Sequence, residues 1–370
     1  MKSISTLTLL WLLLCAVTLN IEFAYGQDFS NWKTDFAKKS IDFESLVRGG
    51  PPKDRIPSID EPEFVIFDAA DSWISDEEPV IAFQLNGTAR AYPLQILIWH
   101  EIVNDQFEEI PVLITFCPLC YSAIVFDRRI DGEVHEFGVS GFLRHSDMIM
   151  FDRKTESLWQ QFTGEAVVGD YTRTELTVLP SQIISYEQFK DAYPDGVVLS
   201  KDTGHQRPYG QNPYTGYDDI NNTPFLMGDI EDDRLPPMEK VIGVRVSDVQ
   251  KAYPYSLTKE SVVINDTMGQ TPIVVFHTEG ARSALDASSI SQSREDGSTG
   301  AFHRSVNGQT LEFAYSSEKI TDQQTGSTWD ISGKAIEGEL KGEQLEPLIF
   351  GDYFAFAWLV FWPDSELYQQ

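Results

Sequence analysis

Cysteine is scarce in this sequence: 370 residues contain three, Cys15, Cys117 and Cys120. Basic residues are scarce too, with 28 Lys and Arg against 57 Asp and Glu, a net charge of −29. No basic stripe is available to neutralise phosphates, which excludes nucleic acid as a partner. Long apolar runs are nearly missing; the one at residues 7–19 is too short for a membrane anchor and is broken by Asn20 and Glu22. Familiar catalytic signatures also fail by single residues. "HEIVN" (100–104) has Asn104 where a zinc protease needs its second histidine, and "HEFGV" (135–139) fails likewise. Tyr121 stands where a c-type haem motif needs histidine after its second cysteine. "GVSGF" (138–142) has Phe142 in place of the second glycine of a nucleophile elbow.

What is present begins with an export signal. Lys2 gives a positive start, residues 7–19 are apolar, and Ala24-Tyr25-Gly26 offers small residues for cleavage before Gln27. Leu14 is bulky where a lipid-attachment site at Cys15 takes a small residue. The expected protein is secreted or periplasmic, with no membrane span once the signal is removed. Residues 1–26 hold one Lys and one Glu, so the mature balance stays at −29. Such charge favours solubility and does not specify a fold. Cys117 and Cys120 then remain as a lone pair in a compartment where disulfides persist.

The chain also repeats itself. "VIAFQLNGTARAYP" (80–93) aligns with "VIGVRVSDVQKAYP" (241–254) at a shift of 161, and "IVND" (102–105) with "VIND" (263–266). "IPVLITFCPLC" (110–120) aligns with "TPIVVFHTEG" (271–280) at a shift of 160, which places His277 opposite Cys117 and Gly280 opposite Cys120. "FDRRIDGEVHEF" (126–137) and "DRKTESLWQQFTGEAVVG" (152–169) find counterparts at 302–313 and 322–338. Tyr193-Pro194-Asp195 meets Trp362-Pro363-Asp364. Matches in constant order predict an internal duplication giving two similar lobes. The expected divisions are a signal peptide at 1–26, a leader at 27–79, copy one at 80–200, a Gly/Pro/Tyr-rich connector at 201–240 and copy two at 241–370. Alternating residues, an Asn86-Gly87 turn and short apolar runs outnumber helical patterns, so the fold class is α+β and strand-rich.

The chemistry centres on "LITFCPLCYS" (113–122), a buried strand running into Cys117-Pro118-Leu119-Cys120. Three readings stay open. A redox pair needs its first thiol at a helix N-terminus, and Pro118 is compatible with a first helical turn. A zinc or copper ion is the second, with His100, His145, His205 or His277 completing the ligands that one pair cannot supply. The third is a structural disulfide in a non-catalytic extracytoplasmic binding module. Copy two folds without the pair, which argues against a need imposed by the fold. Ser140, Ser146-Asp147 and Arg153 form a polar patch in strand context and are candidate catalytic residues with the cysteines. In the connector "TGHQRPYGQNPYTGY" (203–217), His205, Arg207 and Tyr209, with Tyr214 and Tyr217, are candidates for a cofactor or small-molecule cleft between lobes. Whether the protein is an enzyme is left open.

"HEIVND" (100–105), "TFCPLCYS" (115–122) and "FGVSGFLRHSDMIMFDRKTESLWQQFTG" (137–164) resemble the exported proteins classed as domain of unknown function 3179. The connector motif and "FAWLVFWPDSELY" (356–368) extend the resemblance over nearly the whole mature chain. It implies a shared fold and an exported setting, and it brings no reaction with it.

Overall fold

The computed structural model describes residues 29–228 and 231–369. The expected signal peptide and Cys15 lie outside the described residues. The fold is α+β and strand-rich, built from short, mostly antiparallel sheets, two of which carry a parallel pair, with a few helices of one to two turns. No helix among the described residues is long and apolar enough to cross a membrane.

Local chemistry explains how each element begins and ends. Pro79–Leu85 and Thr88–Pro93 pair as a hairpin, turned by Asn86 (φ 52°) and Gly87 (φ 85°), residues that accept the left-handed turn a two-residue hairpin needs. Pro93 then caps the helix Leu94–His100, where it gives up no needed N–H. Glu101 ends that helix in the left-handed region (φ 60°), its N–H bonded to the Leu97 carbonyl. Ile102–Phe107, Ile110–Cys117 and Ser122–Asp127 follow as an antiparallel set.

The same order of elements recurs later at a constant offset of 161 residues. Lys240–Val246, Val249–Pro254, the helix Tyr255–Ser261, Val263–Met268 and Thr271–Thr278 repeat it, and Val262 (φ 59°) stands where Glu101 does. Strand register corrects the sequence alignment at the cysteines. Ile102 pairs with Thr115 as Val263 pairs with Phe276, and Cys117 pairs with Ser122 as Thr278 pairs with Ser298. Thr278, not His277, therefore occupies the Cys117 position. Matching Phe116 to Phe276 slid the alignment by one residue, and in a strand one residue reverses the face a side chain points to.

Further details recur. Asp152 accepts from the N–H groups of Thr155 and Ser157 and from Trp159 Nε1, and Asp322 does the same with Thr325, Ser327 and Trp329. Each segment sends a helix across to the other. Gln188, on Tyr186–Ala192, reaches the Glu279 carbonyl at 2.9 Å and accepts from Ser298 Oγ at 2.5 Å. Ala355–Phe361 lies against the cysteine turn, where the Phe354 N–H donates to the Cys120 carbonyl at 3.0 Å and Phe361 stacks on Phe162.

The leader is woven in. Val47–Arg48 pairs with Leu143 and Phe142, and Trp32 and Phe36 join the small core around Phe43, Phe142 and Phe151. At Gly141 a Cβ would strike the Pro51 carbonyl, so this close crossing requires glycine.

Candidate metal centre

Cys117 is the last residue of its strand, and the next four residues form the hairpin turn into Ser122–Asp127. The Cys120 N–H meets the Cys117 carbonyl and the Tyr121 N–H meets the Pro118 carbonyl, both at 3.3 Å. This closes a tight turn with Tyr121 in the left-handed region (φ 54°). No helix starts here, so the dipole that would activate a redox thiol is missing. Both thiols are free and buried. Burial pushes the Cys117 thiol up, and pushes Cys120 well above the ordinary thiol value. The expected disulfide is not formed in this structure.

The third group is a carboxylate rather than a histidine. The ligand atoms of Cys117, Cys120 and Asp147 lie within 4.8 Å of one another, and all three residues are buried. Asp147 opens the strand Asp147–Asp152 directly after a two-residue turn made by His145 (φ 52°) and Ser146 (φ 68°). Left-handed conformations at non-glycine residues cost about 1–3 kcal/mol each, and the surrounding packing must hold them. This turn aims the Ser146 carbonyl at the Cys117 thiol (3.9 Å) and the Asp147 carboxylate at both sulfurs.

One oxygen of Asp147 is fixed from behind. Oδ2 accepts from Gln160 Nε2 at 2.5 Å and from the Phe162 N–H at 3.0 Å, and Gln160 is itself held by Arg144 at 3.2 Å. Oδ1 is fully buried and accepts no hydrogen bond of ordinary geometry. Burial pushes this carboxyl up to about 7, despite the donors on Oδ2.

Glu101 adds a fourth acid. It is 7% exposed, and burial, reinforced by the Asp147 charge, pushes it up to about 8. Its charge is felt at Cys117 and at Tyr214. The corresponding Val262 has the same backbone conformation without a carboxylate, so the fold at this point does not need the acid. Thr278, at the Cys117 position, likewise carries no thiol, and the Gln188 amide lies beside it.

The connector closes over the centre. Tyr217 donates to the Leu119 carbonyl at 3.1 Å and accepts from the Phe225 N–H at 3.1 Å, while Ser146 Oγ bonds the Phe225 carbonyl.

Other candidates lie in different settings. His277 engages Thr258 through Nδ1 (2.7 Å) and the Asp296 carbonyl through Nε2 (3.2 Å), so both nitrogens are committed. His100 is committed in the same way, to Pro57 and Tyr209. Neither joins the close group, as the expected metal ligation required. Ser140 donates to the Ile149 carbonyl at 2.5 Å, and Arg153 pairs with Asp54 and Asp60 and bonds Ser58. Their partners belong to the leader and the sheet, not to the cysteine centre. His205, Arg207 and Tyr209 gather around His100. Glu101 escaped the sequence reading, although it adjoins His100 in "HEIVND", and Asp147 was visible only as one member of a polar patch.

No curated protein and no solved structure matches the chain. A family model described as "Protein of unknown function (DUF3179)" matches residues 53–365, and with that much of the sequence covered the chain belongs to this family.

Proposed function

We propose that this is an exported metalloprotein in which Cys117, Cys120 and Asp147 bind one zinc-type divalent cation. The observation that carries the reading is the buried Asp147 carboxylate grouped with two buried sulfurs, its Oδ2 held by Gln160 and Phe162. A carboxylate fixed from behind and grouped with thiols is the arrangement that second-shell support gives a metal ligand. Without a cation these acids are kept protonated by burial, and a cation would drive the protons off. Two thiolates with a carboxylate suit zinc better than copper(I), which favours sulfur alone. Three protein ligands leave a fourth position, the pattern of zinc sites that bind water or substrate. Glu101 is the nearby group able to accept a proton from a molecule bound there. The recurring order of elements supports an internal duplication in which one copy carries this equipment and the other serves as scaffold.

The test is titration of chelator-stripped protein with zinc and cobalt. One equivalent should bind, and cobalt should give a thiolate charge-transfer band that is lost in Cys117→Ser and Cys120→Ser. Absence of stoichiometric binding and of the band in the parent protein overturns the reading and leaves a structural role for the pair.

A further inference from the structure

A second cluster, on the other side of the turn from helix Leu94–His100 into Glu101, is built around a neutral histidine. His100 Nδ1 lies 2.7 Å from the Pro57 carbonyl, which can only accept, so the proton sits on Nδ1. Nε2 is then an acceptor, and it takes the Tyr209 hydroxyl at 2.7 Å. Thr203 Oγ1 donates to the same hydroxyl at 2.6 Å. This relay pins the loop from Thr203 to Tyr209, with left-handed Gly204 (φ 76°) within it and Gly210 (φ 84°) directly after it.

The pinned loop presents two nitrogen-rich side chains. The His205 ring lies 5.5 Å from the His100 ring, and the Arg207 guanidinium is close enough for its charge to be felt at both His100 and Tyr209. Every other half-buried arginine among the described residues holds an acid, a carbonyl or an aromatic ring: Arg90, Arg144, Arg153, Arg245, Arg282 and Arg304. Arg207 holds none of these. Asp202 acts on Tyr209 yet makes no ion pair with Arg207. In a chain with 57 acidic and 28 basic residues, leaving this fork unpaired beside a rigid Tyr–His platform is unusual.

We infer that Arg207 and His205, held in place by the Thr203–Tyr209–His100 relay, form a subsite for the carboxylate or phosphate group of a small-molecule ligand. The guanidinium matches either group through two parallel N–H donors, and His205 supplies a further donor. Tyr209 and His100 spend their hydrogen bonds on each other, on Thr203 and on the Pro57 carbonyl, so they are positioning residues here. The inference does not rest on the metal reading.

The experiment is calorimetric titration of the full-length mature protein, at low salt, with inorganic phosphate and separately with acetate. Arg207→Met keeps the apolar stem and removes the fork; His205→Gln keeps a donor; a further titration uses the parent protein after chelator treatment. Saturable binding of one or both anions is expected, weakened about tenfold or more by Arg207→Met, less by His205→Gln, and unchanged by chelator treatment. Comparing the two anions tells a phosphate subsite from a carboxylate one. The inference is overturned if neither anion binds, or if Arg207→Met binds as the parent does. It is also overturned if chelator treatment abolishes binding, because the anion would then be sitting on a metal. Melting curves of each variant identify misfolding, and for a misfolded Arg207→Met the same comparison is made with Arg207→Lys, which keeps charge but loses the fork.

Discussion

Gln160 donates to one oxygen of Asp147 at 2.5 Å, and the same carboxylate is grouped with Cys117 and Cys120. That single contact couples a polar side chain on one strand to the geometry of the whole centre. Gln160→Leu should lower zinc affinity by about 10–100-fold, the usual cost of losing a group that orients a ligand. It should also cost about 1–3 kcal/mol of stability by stranding a buried carboxylate oxygen. A chelating-dye competition and a denaturant melt measure the two effects separately. Unchanged affinity would mean that Asp147 needs no such support.

The buried acids set a pH dependence whose sign follows from burial. Glu101 is raised from 4.5 to about 8 and Asp147 from 3.8 to about 7. A carboxyl raised in the folded state binds its proton more tightly there than in the unfolded chain. Its contribution is fully present below the unfolded value and is lost as pH rises through the folded one. Metal-free protein should therefore lose stability from these two groups between about pH 4 and pH 8. Glu101→Gln, which cannot ionise, should gain on the parent protein across that window. Melting temperatures of both proteins from pH 4 to pH 9, without metal, check this; a constant difference would contradict it.

His277→Gln separates packing from ligation. Both ring nitrogens of His277 are hydrogen-bonded and its ring packs on Tyr255 at 4.4 Å. The variant should melt lower, by about 1–3 kcal/mol of lost stability, and retain one equivalent of zinc. Loss of zinc in a folded variant would restore His277 as a ligand.

The mature chain is expected to begin at Gln27, after the Ala24-Tyr25-Gly26 site. Intact-mass measurement of the exported protein decides it. A retained Met1, or a lipid on Cys15, would contradict the reading.

Much of the strand framework was legible because its signals are local. Asn86-Gly87 marks a turn by its tolerance of positive φ, and residues 112–116 read as a buried strand because they are apolar or β-branched, Thr115 being the one polar member. The cysteine pair was legible because two thiols three residues apart are rare. The register of the recurring strands at 263–278 was not. Phe116 and Phe276 invited a match, whereas the hydrogen-bonded ladder sets Phe116 against the position of His277, and no local pattern reports a one-residue slip.

The partners of the cysteines were decided by the tertiary structure alone. Asp147 lies well over twenty residues from both sulfurs in sequence, and a tight turn through His145 and Ser146 brings it to them. Glu101 reaches the same space because a helix ends in a left-handed residue, a feature shared with Val262, whose side chain has no acid. The sequence by itself determined the strand-rich fold class and the scarcity of sulfur. Which acids meet that sulfur depended on packing, because burial and proximity are properties of distant segments brought together and leave no spacing rule in the chain.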